Sequence, residues 1–226
     1  MRHATRAAIT MALGDAIFVG LPLVAWGVGD VRGFFAGTPR LAYVVLALAL
    51  NTYAAIRIPE VGKWRGEATK LVRRQRLAVL ALQVIPLALV IVAPFGDRRG
   101  LATIGGPIAV RYLGVASYAA GFLLMHWTEA HLGRLFSVQV EIQPGHRLVT
   151  DGPYRRLRHP RYLGIIVWAA GISLVFRSWL GLALVGAITL VLLWRIHDEE
   201  ALMRSEFGAE WNAYVARSWR LLPFVY

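Results

Sequence analysis

Long apolar stretches separated by short polar ones recur along the chain. They lie at residues 8–28, 41–58, 77–95, 108–127, 162–176 and 179–197. An α-helix needs about 20 apolar residues to cross a bilayer core, so the pattern predicts an all-α integral membrane protein with about six transmembrane helices. The fifth stretch is short for a full crossing, and the two last stretches are predicted to form a tight antiparallel hairpin around FRSW. Pro86, inside the third stretch, predicts a kink.

Composition supports a membrane protein. The 226 residues are 57% hydrophobic and only 17% charged, which is more apolar than a soluble domain of this size needs to be. The net charge is +12, but the basic residues lie at the edges of apolar stretches and show no pattern for stacking on bases or reading a groove. They predict contacts with membrane lipids and no nucleic-acid partner. The absence of cysteine excludes thiol nucleophiles, disulfides and cysteine-ligated metals.

The distribution of arginine predicts an orientation. Most arginines lie in segments that share one side of the membrane with the N-terminus, and basic residues favour the cytoplasmic side. Both termini and the active site are therefore predicted to be cytoplasmic. Lysine is scarce beside arginine, whereas alanine, valine and glycine are abundant, which is typical of a high-GC prokaryotic genome. We therefore predict a prokaryotic cytoplasmic (inner) membrane.

Polar groups suited to chemistry concentrate after about residue 125. The segment HRLVTDGPYRRLRHPRYLG, residues 146–164, is predicted to be an irregular loop that leads into a helix. Pro160 suits the first helical turn, where its missing N–H would have no partner anyway. Free N–H groups at a helix N-terminus attract anions, so a carboxylate or phosphate is expected near Arg158.

A second group of charged residues follows the hairpin. Arg195 and Glu199 are spaced to share one helical face, and Glu200 lies slightly round it. The hairpin returns this end of the chain to the membrane side that holds Arg158. Ionisable residues placed in this way in a membrane protein predict a functional site.

Several of these motifs, in this order, resemble the isoprenylcysteine carboxyl methyltransferase and phospholipid methyltransferase superfamily of integral membrane enzymes. They are the loop at 146–164, the hydrophobic hairpin, EE, FGAEWNAY and RLLP. The resemblance covers about residues 132–223 and does not extend to the first four apolar stretches. It implies N-terminal transmembrane helices at 1–125 on the substrate or lipid side. It also implies a catalytic region at 126–226 that contains the cofactor loop, the hairpin and an amphipathic C-terminal helix.

The resemblance also implies S-adenosylmethionine as cofactor and a lipophilic small molecule or lipid as methyl acceptor, with oxygen, nitrogen and sulfur all open as the acceptor atom. The implied catalytic residues are Arg195, which would face the acceptor, Arg158 and Glu200. The donor's carboxylate suits Arg158 and its ammonium suits Glu200. The implied cofactor-binding residues are Gln143, His146, Leu148, Val149, Gly152, Tyr154, Arg158, His159, Tyr162 and Glu200.

Alternatives remain open from the sequence. A membrane reductase that uses NADPH is one, because sterol reductases resemble this family near their C-termini, and a non-catalytic membrane scaffold is another. The spacing of His126, Glu129 and His131 fits neither H-E-x-x-H nor the usual zinc patterns, so no metal is predicted. Asp15 and Asn51, inside apolar stretches, either line a substrate cavity or form a hydrogen bond between helices.

Overall fold

The protein is almost entirely helical. In a computed structural model, the described residues are 2–57, 70–71, 75–137, 141–142, 145 and 147–225. The α-helices are α1 (Arg2–Asp15), α2 (Leu21–Trp26), α3 (Val31–Ala36), α4 (Thr38–Arg57), α5 (Arg76–Arg99), α6 (Ala109–Leu132), α7 (Pro160–Val175) and α8 (Trp179–Val215). Two short antiparallel strands, β1 (Lys70–Leu71) and β2 (Glu141–Ile142), pair with each other. The predicted all-α class is confirmed.

Four helical stretches are long and apolar enough, by length and composition, to cross a membrane. They are Ala7–Trp26, Thr38–Ile56, Arg76–Arg99 and Trp179–Val215. Helix α7 is apolar but has only 16 residues, in line with the short fifth stretch of the sequence. Helix α6 coincides with the predicted span at 108–127 but is not one of these four. The membrane class is confirmed, and the number of six spans stays a prediction.

The first spanning stretch is not a uniform α-helix. Ala16–Gly20 form a π-helical segment between α1 and α2. Asp15 precedes this segment, and its Oδ1 accepts a hydrogen bond of 2.9 Å from Nδ2 of Asn51 on α4. The amide group of Asn51 also packs against Gly14. Of the two roles considered for Asp15 and Asn51, the structure shows the hydrogen bond between helices.

Helix α5 runs the full distance between the two ends of the bundle. Its backbone remains helical through both Pro86 and Pro94, so the predicted kink at Pro86 does not end the helix. At a rise of about 1.5 Å per residue, the helix is roughly 36 Å long. Residues at its two ends, Gln75 and Asp97, therefore belong to well-separated regions.

Glycines allow helices α6 and α7 to pack backbone against backbone. Gly114 and Gly121 of α6 lie opposite Gly171 and Gly164 of α7, in antiparallel order. A Cβ added at Gly121 would lie 2.3 Å from the backbone nitrogen of Trp168, and one added at Gly171 would lie 2.3 Å from that of Tyr118. These distances leave no space for a side chain. We call these four residues the glycine seam; small residues of this kind let membrane helices approach closely.

A polar cluster joins five helices, α3 to α7, at one end of the bundle. Both Nη atoms of Arg111 donate hydrogen bonds of 2.7 Å to the carboxylate of Asp97, and Nη1 also donates to the carbonyl of Val175. Arg40 completes the cluster at 3.5 Å from Asp97. Its guanidinium also donates to the carbonyls of Phe34 and Gly33. We call Asp97, Arg40 and Arg111 the Asp97 cluster.

The C-terminal tail folds back against the loop before α7. Helix α8 is interrupted at Gly208, whose φ of 48° is a left-handed conformation that glycine adopts at little cost. The tail beyond the helix then pairs with the loop: Trp219 N–H donates to Arg156, and the N–H groups of Arg158 and His159 donate to Trp219 and Arg220. The tail, the loop and the second half of α8 therefore meet at the end of the bundle opposite the Asp97 cluster.

Candidate active site

The start of α7 orients three of the predicted site residues. His159 is the residue before the helix and Pro160 its first residue, as the sequence predicted, because proline needs no hydrogen-bond acceptor in the first turn. Arg158 and His159 therefore leave the loop toward α8, and Tyr162 follows one turn later. The rings of His159 and Tyr162 stack with 5.4 Å between centroids and 2° between planes.

Glu200 is buried and surrounded by three basic side chains. Its Oε1 accepts from Arg158 Nε at 2.8 Å and lies 3.3 Å from His159 Nε2, and its Oε2 accepts from Arg220 Nε at 2.9 Å. Arg158 Nη1 additionally donates to the backbone carbonyls of Ser218 and Val215. We call Glu200, Arg158, His159 and Arg220 the Glu200 cluster. It joins α7, α8 and the C-terminal tail.

A cavity adjoins this cluster, and of the two adjacent glutamates of α8 it is Glu199, not Glu200, that lies on its wall. The wall is formed by the second half of α8, the start of α7, the loop before α7 and the end of α6. The lining residues are Leu132, Leu135, Phe136, Ser137, Glu141, Arg147, Leu148, Val149, Tyr154, Arg158, His159, Arg161, Tyr162, Arg195, Glu199, Met203, Trp211 and Tyr214. The lining thus combines charged groups of both signs with aromatic and aliphatic side chains.

A chain of hydrogen bonds fixes Arg195 on the cavity wall. Arg195 Nε donates to the hydroxyl oxygen of Tyr162 at 2.7 Å, and that hydroxyl donates to Glu199 Oε2 at 2.6 Å. Arg195 is only 4% exposed, so its charge acts where water screens it little. The guanidinium is held at one position and oriented by a neutral phenol.

Aromatic side chains form another part of the wall. Trp211 is buried, and its Nε1–H has no hydrogen-bond partner among the described residues. Its ring lies edge-on to that of Tyr214, which donates to the carbonyl of Tyr154 at 2.6 Å. Burial, and secondarily the charge of Glu199, raises the pKa of the Tyr154 phenol, so this phenol is neutral at ordinary pH. A buried N–H without a partner usually marks the position of a ligand or water.

The structure brings most of the sequence-predicted residues together. Seven of them line the cavity: Leu148, Val149, Tyr154, Arg158, His159, Tyr162 and Arg195. Glu200 lies behind the wall, in its own cluster, and Gly152 packs against the ring of His131 instead. Gln143 and His146 lie outside the described residues. The roles assigned to all these residues stay predictions.

Sequence reasoning gave no individual role to four residues of the site. Glu199 was placed on the same helical face as Arg195 but was given no role. Its position on that face was the sequence signal that could have identified it. Trp211 and Tyr214 lie three residues apart, a spacing that a helix on the membrane surface would also show. Arg220 begins the RLLP motif, but its partner could not be predicted, because only the folding back of the tail brings it to Glu200.

The residues considered for a metal have separate partners. Glu129 pairs with Arg161 at 2.8 Å, His131 with Asp151 at 3.0 Å, and the ring nitrogen Nδ1 of His126 with the carbonyl of Phe122 at 2.9 Å. Within the described part of the chain, no three histidine, aspartate or glutamate side chains are grouped as metal ligands would be.

Comparison with known proteins identifies the region that holds this site. Residues 114–205 match the sequence model of the Isoprenylcysteine carboxyl methyltransferase (ICMT) family. The resemblance to the ICMT family is confirmed over these residues. They include the α6–α7 pair, Arg158, Tyr162, Arg195 and both glutamates, whereas Trp211 and the tail lie beyond them.

Named relatives agree with the ICMT match. A "Probable protein-S-isoprenylcysteine O-methyltransferase" of Oryza sativa subsp. indica is 32% identical over 123 residues, which cover 51% of this chain and 62% of that protein. The "Protein-S-isoprenylcysteine O-methyltransferase" of Schizosaccharomyces pombe is 36% identical over 74 residues, 30% of each chain. The chain thus spans less than two thirds of these relatives' length. A solved structure titled as the eukaryotic intramembrane Ras methyltransferase ICMT has a TM-score of 0.49 at 18% identity, covering 96% of this chain and 98% of that one.

These comparisons correct one prediction and weaken another. The relatives that carry the methyltransferase name come from rice, Arabidopsis, fission yeast, Dictyostelium and Tribolium, all eukaryotes. The predicted prokaryotic inner-membrane localisation is therefore wrong; it rested on arginine and alanine usage, which reports genome composition rather than compartment. The relatives named here give no support to a reductase.

Proposed function

We propose that the protein is a membrane methyltransferase that uses S-adenosylmethionine to methylate the carboxylate of a lipophilic, isoprenylcysteine-like acceptor. The observation that carries the proposal is Arg195, a buried guanidinium held by Tyr162 on the wall of a cavity, inside the segment that matches the ICMT family. The relatives' names specify O-methylation, which favours oxygen among the acceptor atoms that the sequence left open.

The cavity suits a methyl donor of this kind. S-adenosylmethionine carries a carboxylate, an ammonium, a sulfonium and an aromatic base, and the wall offers a partner for each. Arg158 or Arg147 would pair with the carboxylate, and Glu199 would attract the positive groups. The unpartnered Trp211 Nε1–H would donate to the base or ribose. Leu148, Val149 and Tyr154 would cover the apolar faces.

This assignment moves one role from Glu200 to Glu199. Glu200 is already neutralised by Arg158 and Arg220 and lies 3.3 Å from His159 Nε2, and it does not line the cavity. Glu199 lines the cavity, and its side chain is 29% exposed. We therefore assign Glu199 to the positively charged groups of the donor, and Glu200 to holding Arg158, α8 and the tail in place.

Arg195 would receive the acceptor's carboxylate. Its fixed, planar guanidinium suits a carboxylate better than a lysine would, because two N–H groups can bind two oxygens. Arg195 lies at the end of the apolar part of α8. The apolar chain of the acceptor would lie in the membrane there, and its polar head would lie in the cavity. The N-terminal helices, residues 1–125, would form the lipid-facing or substrate-facing side of the path.

The contribution of the protein is placement and exclusion of water. When bound, the donor would supply a methyl group on a sulfonium: a bond would form between the acceptor's carboxylate oxygen and the methyl carbon as the carbon–sulfur bond breaks, and the donor would leave as a neutral thioether. The chain holds the two partners in line, which supplies much of the rate enhancement in such transfers. Because opposite charges cancel as the methyl moves, a buried site in which Arg195, Tyr162 and Glu199 replace water favours the reaction.

Transfer of labelled methyl tests the proposal. The purified chain in lipid nanodiscs is given labelled S-adenosylmethionine and one of two acceptors, an isoprenylated cysteine with a free carboxylate or the same compound with the carboxylate amidated. We expect base-labile label in the first acceptor alone. Label in a lipid amine but in neither cysteine compound would overturn the assignment of a carboxylate as the acceptor. Saturable binding of a nicotinamide nucleotide without binding of the donor would overturn the reaction class.

A further inference from the structure

A second cleft lies on the surface beside the cavity and takes no part in it. Its walls are Thr150, Asp151, Arg155, Arg156 and Arg217, from the loop before α7 and from the end of the chain beyond α8. Arg155, Arg156 and Arg217 are exposed, and none of them lines the active-site cavity. We call these three residues the arginine cleft.

Unlike Arg158, Arg161 and Arg220, the three arginines of the cleft have no acidic partner of their own among the described residues. Arg158 and Arg220 are neutralised by Glu200, and Arg161 is neutralised by Glu129. Among the described residues, Arg155 and Arg156 form no ion pair, and Arg217 donates only to the hydroxyl of Thr150, at 3.3 Å.

One carboxylate does face the cleft. Asp151 is held by a hydrogen bond from His131 at 3.0 Å, which lowers its pKa and keeps it ionised. Three guanidinium groups and one carboxylate leave an excess of positive charge. Uncompensated arginines grouped in this way are the usual setting for a phosphate, which accepts from several N–H groups at once.

The backbone of the cleft is fixed before any ligand binds. Gly152 has a φ of 53° and lies against the His131 ring so closely that a Cβ would be 2.5 Å from it. The hydroxyl of Tyr214 donates to the carbonyls of Tyr154 and Leu157, at 2.6 and 3.2 Å. The arginines therefore project from a rigid loop, so that binding costs less ordering of the chain.

An exposed apolar tail lies next to the arginines. Trp219 N–H donates to the carbonyl of Arg156 at 2.9 Å, which joins the tail to the cleft. Beyond this contact the tail exposes Leu222, Phe224 and Val225, by 47%, 88% and 77%. The ring of Phe224 packs 4.7 Å from that of Trp219. Cations beside exposed aromatic and aliphatic side chains are the pattern of a membrane-interface contact.

From this juxtaposition we propose that the arginine cleft binds the phosphate of an anionic phospholipid, while the tail residues Leu222, Phe224 and Val225 contact its acyl chains. The charge favours an anion, and the apolar tail favours a lipid over a free phosphate. The bound lipid would hold the loop before α7 at the membrane surface, next to the mouth of the cavity. Lipid binding at the arginine cleft does not depend on methyl transfer, so it can be measured without an activity assay.

Lipid retention tests the proposal. The full chain is reconstituted in nanodiscs of phosphatidylcholine with a minor fraction of phosphatidylglycerol, and the lipids retained on release are identified by native mass spectrometry. The variant carries Arg155→Gln, Arg156→Gln and Arg217→Gln. The matched control removes the same charge from exposed arginines elsewhere, with Arg32→Gln, Arg134→Gln and Arg204→Gln. Unchanged binding of S-adenosylmethionine shows that each protein is folded.

We expect the wild type and the control to retain phosphatidylglycerol and the variant to bind it about 100-fold more weakly, since each arginine near an anionic surface contributes roughly a factor of five. The single change Arg156→Gln should weaken retention about fivefold, which keeps the test informative if the triple variant does not fold. Equal retention by the variant, or equal loss in the control, would overturn the proposal.

A second arm separates a lipid from a free phosphate. Inorganic phosphate is titrated against the retained phosphatidylglycerol in detergent, and the tail variant Leu222→Ser with Phe224→Ser is measured beside it. For a lipid site, millimolar phosphate displaces little phosphatidylglycerol, and the tail variant loses lipid. Full displacement by phosphate together with normal retention by the tail variant would show a phosphate site and overturn the assignment to lipid.

Discussion

The two ends of the helix bundle each contain a buried carboxylate held by arginines, and the one at Glu200 adjoins the cavity described above. At one end, Asp97 is 4% exposed and lies between Arg111 and Arg40. At the other, Glu200 is 8% exposed and lies between Arg158 and Arg220. Both carboxylates cross-link elements that are distant in sequence.

The difference lies in what surrounds the arginines. Around Asp97, the remaining N–H groups of the arginines donate to backbone carbonyls of Val175, Phe34 and Gly33, so the cluster is satisfied within the protein. Around Glu200, the wall beyond the cluster carries Glu199 and the unpartnered indole of Trp211. A buried ion pair by itself therefore indicates a structural role. Unsatisfied polar groups that face a cavity next to such a pair indicate a site for chemistry.

The largest effect that we expect is on stability, at the Asp97 end of the bundle. Asp97→Ala leaves two buried guanidinium groups without their carboxylate, and breaking such a pair costs about 3–5 kcal/mol in the free energy of unfolding. Denaturant unfolding in mixed micelles measures it. The control Asp30→Asn, at a more exposed pair with Arg98, should cost less than about 1 kcal/mol. Folded Asp97→Ala protein should keep its affinity for the methyl donor; loss of that affinity at unchanged stability would contradict the comparison.

The next effect is on turnover, at the end with the cavity. Arg195→Ala should lower kcat by roughly 100-fold or more, because the acceptor's carboxylate is no longer held in line with the methyl group, while affinity for the methyl donor stays nearly constant. Arg195→Lys should recover only part of the rate, since the planar two-pronged geometry is missing. Arg111→Ala is the matched control and should change stability without changing kcat. A variant without Arg195 that lost donor binding would place this arginine in the donor site instead.

A smaller effect tests the phenol that orients Arg195. Tyr162→Phe removes the hydroxyl between Arg195 and Glu199, and a hydrogen bond to a charged group is worth about 1.5–3 kcal/mol. We expect kcat to fall at least tenfold, with KM for the acceptor rising less. Tyr43→Phe is the control, since Tyr43 is buried and donates to the carbonyl of Phe18 far from the cavity. If both variants lost stability and neither lost activity, Tyr162 would be structural only.

The smallest effect concerns the indole of Trp211. Trp211→Phe keeps an aromatic wall but removes the N–H, and a neutral hydrogen bond contributes about 0.5–1.5 kcal/mol. Affinity for S-adenosylmethionine, measured by calorimetry, should fall roughly two- to tenfold. The control is Trp26→Phe, because the indole N–H of Trp26 donates to Asp30 at the other end of the bundle. This variant should leave the affinity for S-adenosylmethionine unchanged. Equal affinity in both variants would mean that the donor does not reach Trp211.

Features set by local sequence were predictable. The start of α7 followed from His159 and Pro160, because proline selects the first turn of a helix. The apolar stretches marked the spanning helices, because the length of an apolar run is itself the signal. The convergence of Arg158, Tyr162 and Arg195 followed from the hairpin and from the family resemblance together.

Features set by tertiary packing were not predictable. Which of Glu199 and Glu200 faces the cavity depends on the rotation of α8 against α7, and one residue of a helix turns the side chain by about 100°. The Asp97 cluster draws on residues 40, 97 and 111, whose spacing carries no motif. Arg220 meets Glu200 only because the tail folds back beyond Gly208.

The glycine seam has a consequence for the order of assembly. In a bilayer, helices gain little by hiding apolar surface, so pairing depends on close backbone contact. Helices α6 and α7 make that contact through Gly114, Gly121, Gly164 and Gly171, and they are joined by the loop that later forms the cavity wall. We therefore expect the pair to associate once both helices are in the bilayer, before α8 and the tail have joined them. The cavity is completed last, by a segment that arrives at a partner already in its final register.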